Sequence, residues 1–202
     1  MADMASTDAA FGLEPWGNIL HVGMYAIVTA YGTAIYHGTL MEAVGDSALT
    51  PHMGNLQRAA VEETGAAGSL LGAVVGIFDH NMDPLNYLPA STTGNNTIAG
   101  YVAVADHPDQ EYIAQEDGDT SSMTSASIGL NVDMVGTGGS TTTGISTMEL
   151  DSDTVNTTST LGLKVIGVHP EDTLSSAGAA GNWCRFIVKM NSAHRGSNID
   201  GV

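Results

Sequence analysis

The stretch Tyr101-Val102-Ala103-Val104-Ala105-Asp106-His107-Pro108-Asp109-Gln110-Glu111-Tyr112-Ile113-Ala114-Gln115 decides how the chain folds. Two runs of β-formers flank a turn signal. The ring of Pro108 presets φ for the second position of a type I turn, and Asp109 suits the third. The stretch reads as a β-hairpin, with 101–105 entering and 111–115 leaving.

The same grammar continues toward the C-terminus. In residues 130–134 the apolar groups share one face, with Asn131 and Asp133 between them. Leu161, Leu163 and Val165 fall together while Lys164 points the other way. Residues 183–190 are the most regular: Cys184, Phe186, Val188 and Met190 form one face, and Trp183, Arg185, Ile187 and Lys189 the other. Alternation of period two with two charges on one face marks a half-buried strand. Residues 136–144 (GTGGSTTTG) and 175–182 (SSAGAAGN) have loop compositions.

Toward the N-terminus, residues 69–78 (SLLGAVVGIF) read as a buried strand interrupted by Gly72 and Gly76, with a buried helix as the alternative. Residues 79–96 hold Pro84, Pro89 and many turn formers, and read as a long surface excursion. Residues 22–31 and 34–44 are β-like, and 56–63 fit a short helix or a strand. Short strands at short intervals, without alternating helices, predict an all-β, mainly antiparallel fold: a β-barrel or β-sandwich with long loops. The expected organisation is a flexible N-terminal arm (1–17), a single β-rich domain (18–192) and a C-terminal tail (193–202).

Composition bounds the function. A chain of 202 residues with 43% hydrophobic content can bury a core without disulfides, and Cys184 is its only cysteine. Five Lys and Arg face 22 Asp and Glu, a formal net charge of -17. Such a chain repels phosphate backbones and anionic lipid surfaces, so neither nucleic acid nor a membrane is an expected partner. The acidic surface either meets a basic partner or keeps the protein soluble. The start, MADMASTDAAFGLEPWG, lacks the basic and apolar regions of a signal peptide, and the longest apolar run, 66–78, is too short for a spanning helix. Folding in the cytoplasm where the chain is made is the expectation.

Candidate chemistry is sparse. The 136–144 loop has no lysine to serve as a phosphate loop, and no G-x-S-x-G elbow is present. The histidines (His21, His37, His52, His80, His107, His169 and His194) show no metal-ligand spacing. Glu116-Asp117-Gly118-Asp119, Asp151-Ser152-Asp153 and the pair Asp79 and Asp83 offer oxygen ligands without a calcium-loop pattern, and read as solvated turns or a weak divalent-ion site between subunits. No catalytic, cofactor-binding or metal residue is therefore assigned. Trp183 fits core packing, and Trp16, beside Pro15, is the aromatic expected to contact a partner.

Further strings carry a resemblance. Val74-Val75-Gly76-Ile77-Phe78, Tyr87-Leu88-Pro89-Ala90-Ser91, residues 101–109, Ile113-Ala114-Gln115-Glu116-Asp117, Ile128-Gly129-Leu130-Asn131, residues 138–144, residues 148–152 and residues 163–168 together resemble tailed-phage virion structural proteins encoded beside the major capsid protein. The resemblance spans about residues 34–191 and is strongest after Val74; the N-terminal part departs from the usual opening. It implies a capsid decoration (cement) protein, a virion component on the head surface; the missing catalytic motifs and the charge separately lead to the expectation of no enzymatic activity and no cofactor. The implied partners are the major capsid protein and further copies of itself, with a homotrimer favoured at local three-fold points. A tail or fibre component is the alternative. A hydrolase or lyase on a β scaffold would need a cleft with paired carboxylates.

Overall fold

In the computed structural model, the described residues are 8–44, 60–63, 70–95, 97–119, 121–136, 138–172 and 183–191. Among them there is no α-helix. The elements are strands β1 (Glu14–Pro15), β2 (Val22–Val28), β3 (Leu40–Val44), β4 (Ala60–Glu63), β5 (Leu70–Asp79), β6 (Ile98–Ala105), β7 (Glu111–Gln115), β8 (Asn131–Val132), β9 (Met134–Val135), β10 (Glu149–Leu150), β11 (Leu163–Val168) and β12 (Arg185–Met190), with two 3-10 turns. The all-β, mainly antiparallel expectation holds. The predicted tail, 193–202, and the loop at 175–182 lie outside the described residues.

The strands form two layers. β2-β4-β3-β5-β6 close into a barrel, in which the β2–β4 contact is parallel and the other pairings antiparallel. The second sheet has the order β1-β7-β12-β11-β8, and β9 pairs β10 beside it. The barrel is filled by Ile27, Met41, Leu71, Val74, Ile77, Val102 and Val104. A second core lies between the layers, where Leu40, Leu70 and Ala105 meet Tyr112, Val132, Leu163, Val165, Phe186 and Val188. β12 buries Phe186, Val188 and Met190, and Cys184 just before it is buried as well, as the alternation predicts.

The 101–115 stretch departs from expectation. Its turn is as read, with the Gln110 N–H donating to His107 O at 3.0 Å. Its two strands, however, do not pair. β6 is held between β2 and β5, and β7 between β1 and β12. Both edges of each strand are already used, so the turn is a corner between the layers and not the tip of a hairpin. The corner is tied by the Tyr112 hydroxyl, which donates to Ala105 O at 2.6 Å. Gly72 of β5 passes the same point at φ +154, where a Cβ would lie 1.8 Å from Ala105 O. Only glycine permits that approach.

Residues 56–63 resolve in part: β4 is a strand, and 56–59 lie outside the described residues. Residues 70–78 lie in strand β5, not the alternative helix, and residue 69 lies outside the described residues. The excursion after it returns over the barrel, where Ile35 and Leu88 exchange backbone hydrogen bonds at 2.9 Å and both are buried.

Candidate interaction surface

Residues 8–17 of the expected arm are packed against the rest of the chain. Residues 1–7 lie outside the described residues, but Leu13 is in the inter-layer core and β1 pairs β7. Two buried glutamines fasten the segment. Gln110 accepts the Leu20 N–H at 2.9 Å and donates to Trp16 O at 3.2 Å and Glu111 O at 2.8 Å. Gln115 accepts the Ala9 N–H at 3.0 Å and donates to Trp183 O at 2.9 Å. A carboxamide can accept and donate at once, so each side chain joins two chain segments. Within residues 8–17, burial of Leu13, pairing of β1 with β7 and the bonds from Gln110 and Gln115 hold the stretch that composition reads as flexible.

This fastening shapes a groove of about 420 Å³, bounded by the N-terminal segment, the barrel and the loop before β10. Phe11, Leu13, Pro15, Ile19, Val74 and Ile145 give it an apolar lining, to which Glu14 and His37 add polar groups. Three of its backbone N–H groups are satisfied internally: Leu13 N–H donates to Gly38 O, Gly38 N–H to Val74 O, and His37 N–H to Gly144 O. Large apolar side chains remain exposed around it. Ile19 is 49% exposed and Ile145 41%, and the run continues past Ile19 to Leu20 at 52% and Val22 at 42%. Among the described residues, Ile19, Leu20 and Val22 are three exposed aliphatics within four positions, with His21 between them.

His21 lies within that run. Its Nδ1 is 2.5 Å from Asp106 Oδ1, and the Tyr25 hydroxyl donates to Asp106 Oδ2 at 2.5 Å. Asp106 is fully buried, while the His21 side chain is 40% exposed. The carboxylate fixes the imidazole and the start of β2. An aspartate-held histidine also occurs in acid–base catalysis, where it must face a nucleophile or substrate. Here His21 is flanked by exposed Leu20 and Val22 and is absent from the groove lining.

Trp16, the predicted partner contact, is half-buried. Its ring stands edge-on to His169, with centroids 5.2 Å apart, and it does not line the groove. Trp183 departs from its expected place in the core strand. It precedes β12 at φ 36, is half-buried, and lies where a side chain at Gly118 would collide with its ring.

The acidic clusters are internally bonded. Ser152 Oγ lies 2.7 Å from Asp117 Oδ1, 3.1 Å from Asp119 Oδ1 and 3.2 Å from Ser121 O, and the Ser121 hydroxyl donates to Asp153. Glu116 is buried and accepts the Met123 and Cys184 N–H groups; burial pushes its carboxyl above the usual range. Burial, then Asp8 and Asp117, push the Glu149 carboxyl up to about 7, and its Oε1 is buried without a hydrogen-bond partner among the described residues. Among the described residues no group of three or more His, Cys, Asp and Glu is placed to hold a metal ion. Asp79 accepts the Asn81 and Asp83 N–H groups, a local turn.

The described cations are mostly engaged. Arg185 meets Asp172 at 2.9 Å and Glu171 at 3.4 Å, and Lys189 meets Asp109 at 2.5 Å. Lys164 is exposed. No described helix is long and apolar enough to cross a membrane. Comparison with protein-family models, with curated proteins and with solved structures finds no match.

Proposed function

We propose that the protein is a phage capsid decoration (cement) subunit that sits on the outer face of the assembled head and bridges major capsid subunits. The observation that carries the reading is the exposed aliphatic run Ile19, Leu20 and Val22, with Ile145 across the groove, on a chain of net charge -17. The motif strings after Val74, similar to those of virion structural proteins, support the same assignment.

Magnitudes favour a repeating partner. Full burial of an aliphatic side chain is worth roughly 1.5–3 kcal/mol, and about half of that remains to be gained at each of these positions. The four together supply about 4 kcal/mol before the loss of translational and rotational freedom on association is counted, and that loss is of similar size or larger. A single contact of that strength is too weak to hold. A lattice that lets several copies or several subunits engage together multiplies it by avidity. A homotrimer at a local three-fold point is one such arrangement. Preference for the expanded shell then stabilises it by mass action. Making the subunit in the host cytoplasm and adding it to a finished head fits this order.

The tail or fibre reading uses the same surface on a different partner. Mixing the purified protein with expanded, empty heads separates the two. Saturable binding, with added density on the shell in a cryo-microscopy map, supports decoration; density on the tail of whole particles with bare shells supports the alternative.

A further inference from the structure

We propose that the groove between the N-terminal segment and the barrel receives a short extended segment of a partner protein, one in which aliphatic residues alternate with or adjoin Lys or Arg. The inference deepens the decoration reading by naming the chemistry of the contact, and it rests on that reading only for the identity of the partner.

Three observations select this occupant. The lining is aliphatic and aromatic along Phe11, Leu13, Pro15, Ile19, Val74 and Ile145, so the occupant must present apolar side chains. Its polar side chains are Glu14 and His37, and Glu14 is exposed, so the charge available to an incoming group is a carboxylate. The chain as a whole is strongly acidic, and Arg185 and Lys189 are already paired with carboxylates. Charge complementarity therefore favours a cationic segment in the groove over a segment of a second copy of the same chain. A volume near 420 Å³ accepts a short peptide, and the exposed run beyond Ile19 offers further apolar surface to a longer one.

The backbone excludes one common mode. β1 is an edge of its sheet, but Pro15 has no N–H to give, and the Leu13, His37 and Gly38 N–H groups already have acceptors. Recognition is by side chains, with the aliphatic groups in the groove and the cation at Glu14, and not by addition of a strand.

The test is selection from a random 12-residue peptide library on the full-length protein, followed by binding measurements on the enriched peptides with Glu14→Lys and Ile145→Asp variants. Both positions are exposed, so the variants should fold, and circular dichroism checks this. Enrichment of Lys or Arg beside Leu, Ile or Val is expected, with affinity lowered at least fivefold by each variant and by added salt. Enrichment of acidic or uncharged peptides, no enrichment over the double variant, or binding indifferent to both substitutions overturns the proposal. The same variants applied to empty heads keep the two readings distinct. Unchanged binding of both variants to heads overturns the groove while leaving decoration standing. Peptide binding without head binding does the reverse.

Discussion

The Gln110 carboxamide accepts the Leu20 N–H at 2.9 Å from a fully buried position, and so holds the exposed aliphatic run against the corner between the two layers. Gln110→Ala removes this bond and those to Trp16 O and Glu111 O. The expected loss is about 2 kcal/mol, a fall in Tm of roughly 4–8 °C. Hydrogen exchange at Leu20 should accelerate well beyond that of the barrel amides. Unchanged protection at Leu20 would show that the segment is held by something else.

Asp106 bonds both His21 and the Tyr25 hydroxyl. Asp106→Ala leaves the buried Tyr25 hydroxyl without that acceptor, and a destabilisation of about 3 kcal/mol is expected in denaturant unfolding. His21→Ala should cost less, about 1 kcal/mol, because the ring is partly solvated. Equal effects from the two would contradict the view that Asp106 is the centre of the network.

Glu149 sets a pH dependence. Its folded pKa, about 7, lies above the ordinary value of 4.5, so the folded state holds the proton more tightly than the unfolded chain. Its contribution is therefore fully favourable below about 4.5 and is lost as the pH rises through 7. Glu149→Gln should raise Tm above the parent at pH 8, with the difference shrinking toward pH 4.5. A variant less stable than the parent at pH 8 contradicts the assignment.

Gly72 and Gly167 make a matched pair. A methyl at Gly72 meets Ala105 O at 1.8 Å, whereas one at Gly167 meets nothing within 4 Å. Gly72→Ala should cost 4 kcal/mol or more, or prevent folding, and Gly167→Ala should fall within about 1 kcal/mol of the parent. Comparable stability of the two variants would mean that β5 does not pass the corner as described.

Much of this was legible in the sequence where one face of a strand is buried and the other is wet. β12 is the clearest case, because alternation carries the burial of Phe186 and Val188 directly. β6 is buried along its whole length, so its sequence marks a strand without marking its neighbours. That is why 101–115 announces a turn correctly and its pairing wrongly: turn residues encode the backbone reversal, while partner choice is set by distant strands. The N-terminal segment was illegible for a related reason. Its order depends on Gln110 and Gln115, polar residues whose role is defined only by the chain they reach. Trp16, an aromatic beside a proline, is half-buried, and the exposed stretch beside it is the aliphatic run Ile19, Leu20 and Val22. Its apolar character alone does not distinguish an exposed strip from a core strand.

Copy number in purified phage particles bears most directly on the decoration assignment. Quantitative mass spectrometry of whole particles, with the major capsid protein as internal reference, should find the chain in hundreds of copies, in a fixed ratio to capsid subunits. A few copies or a few dozen would place it in the tail, and its absence from purified particles would contradict a virion role altogether.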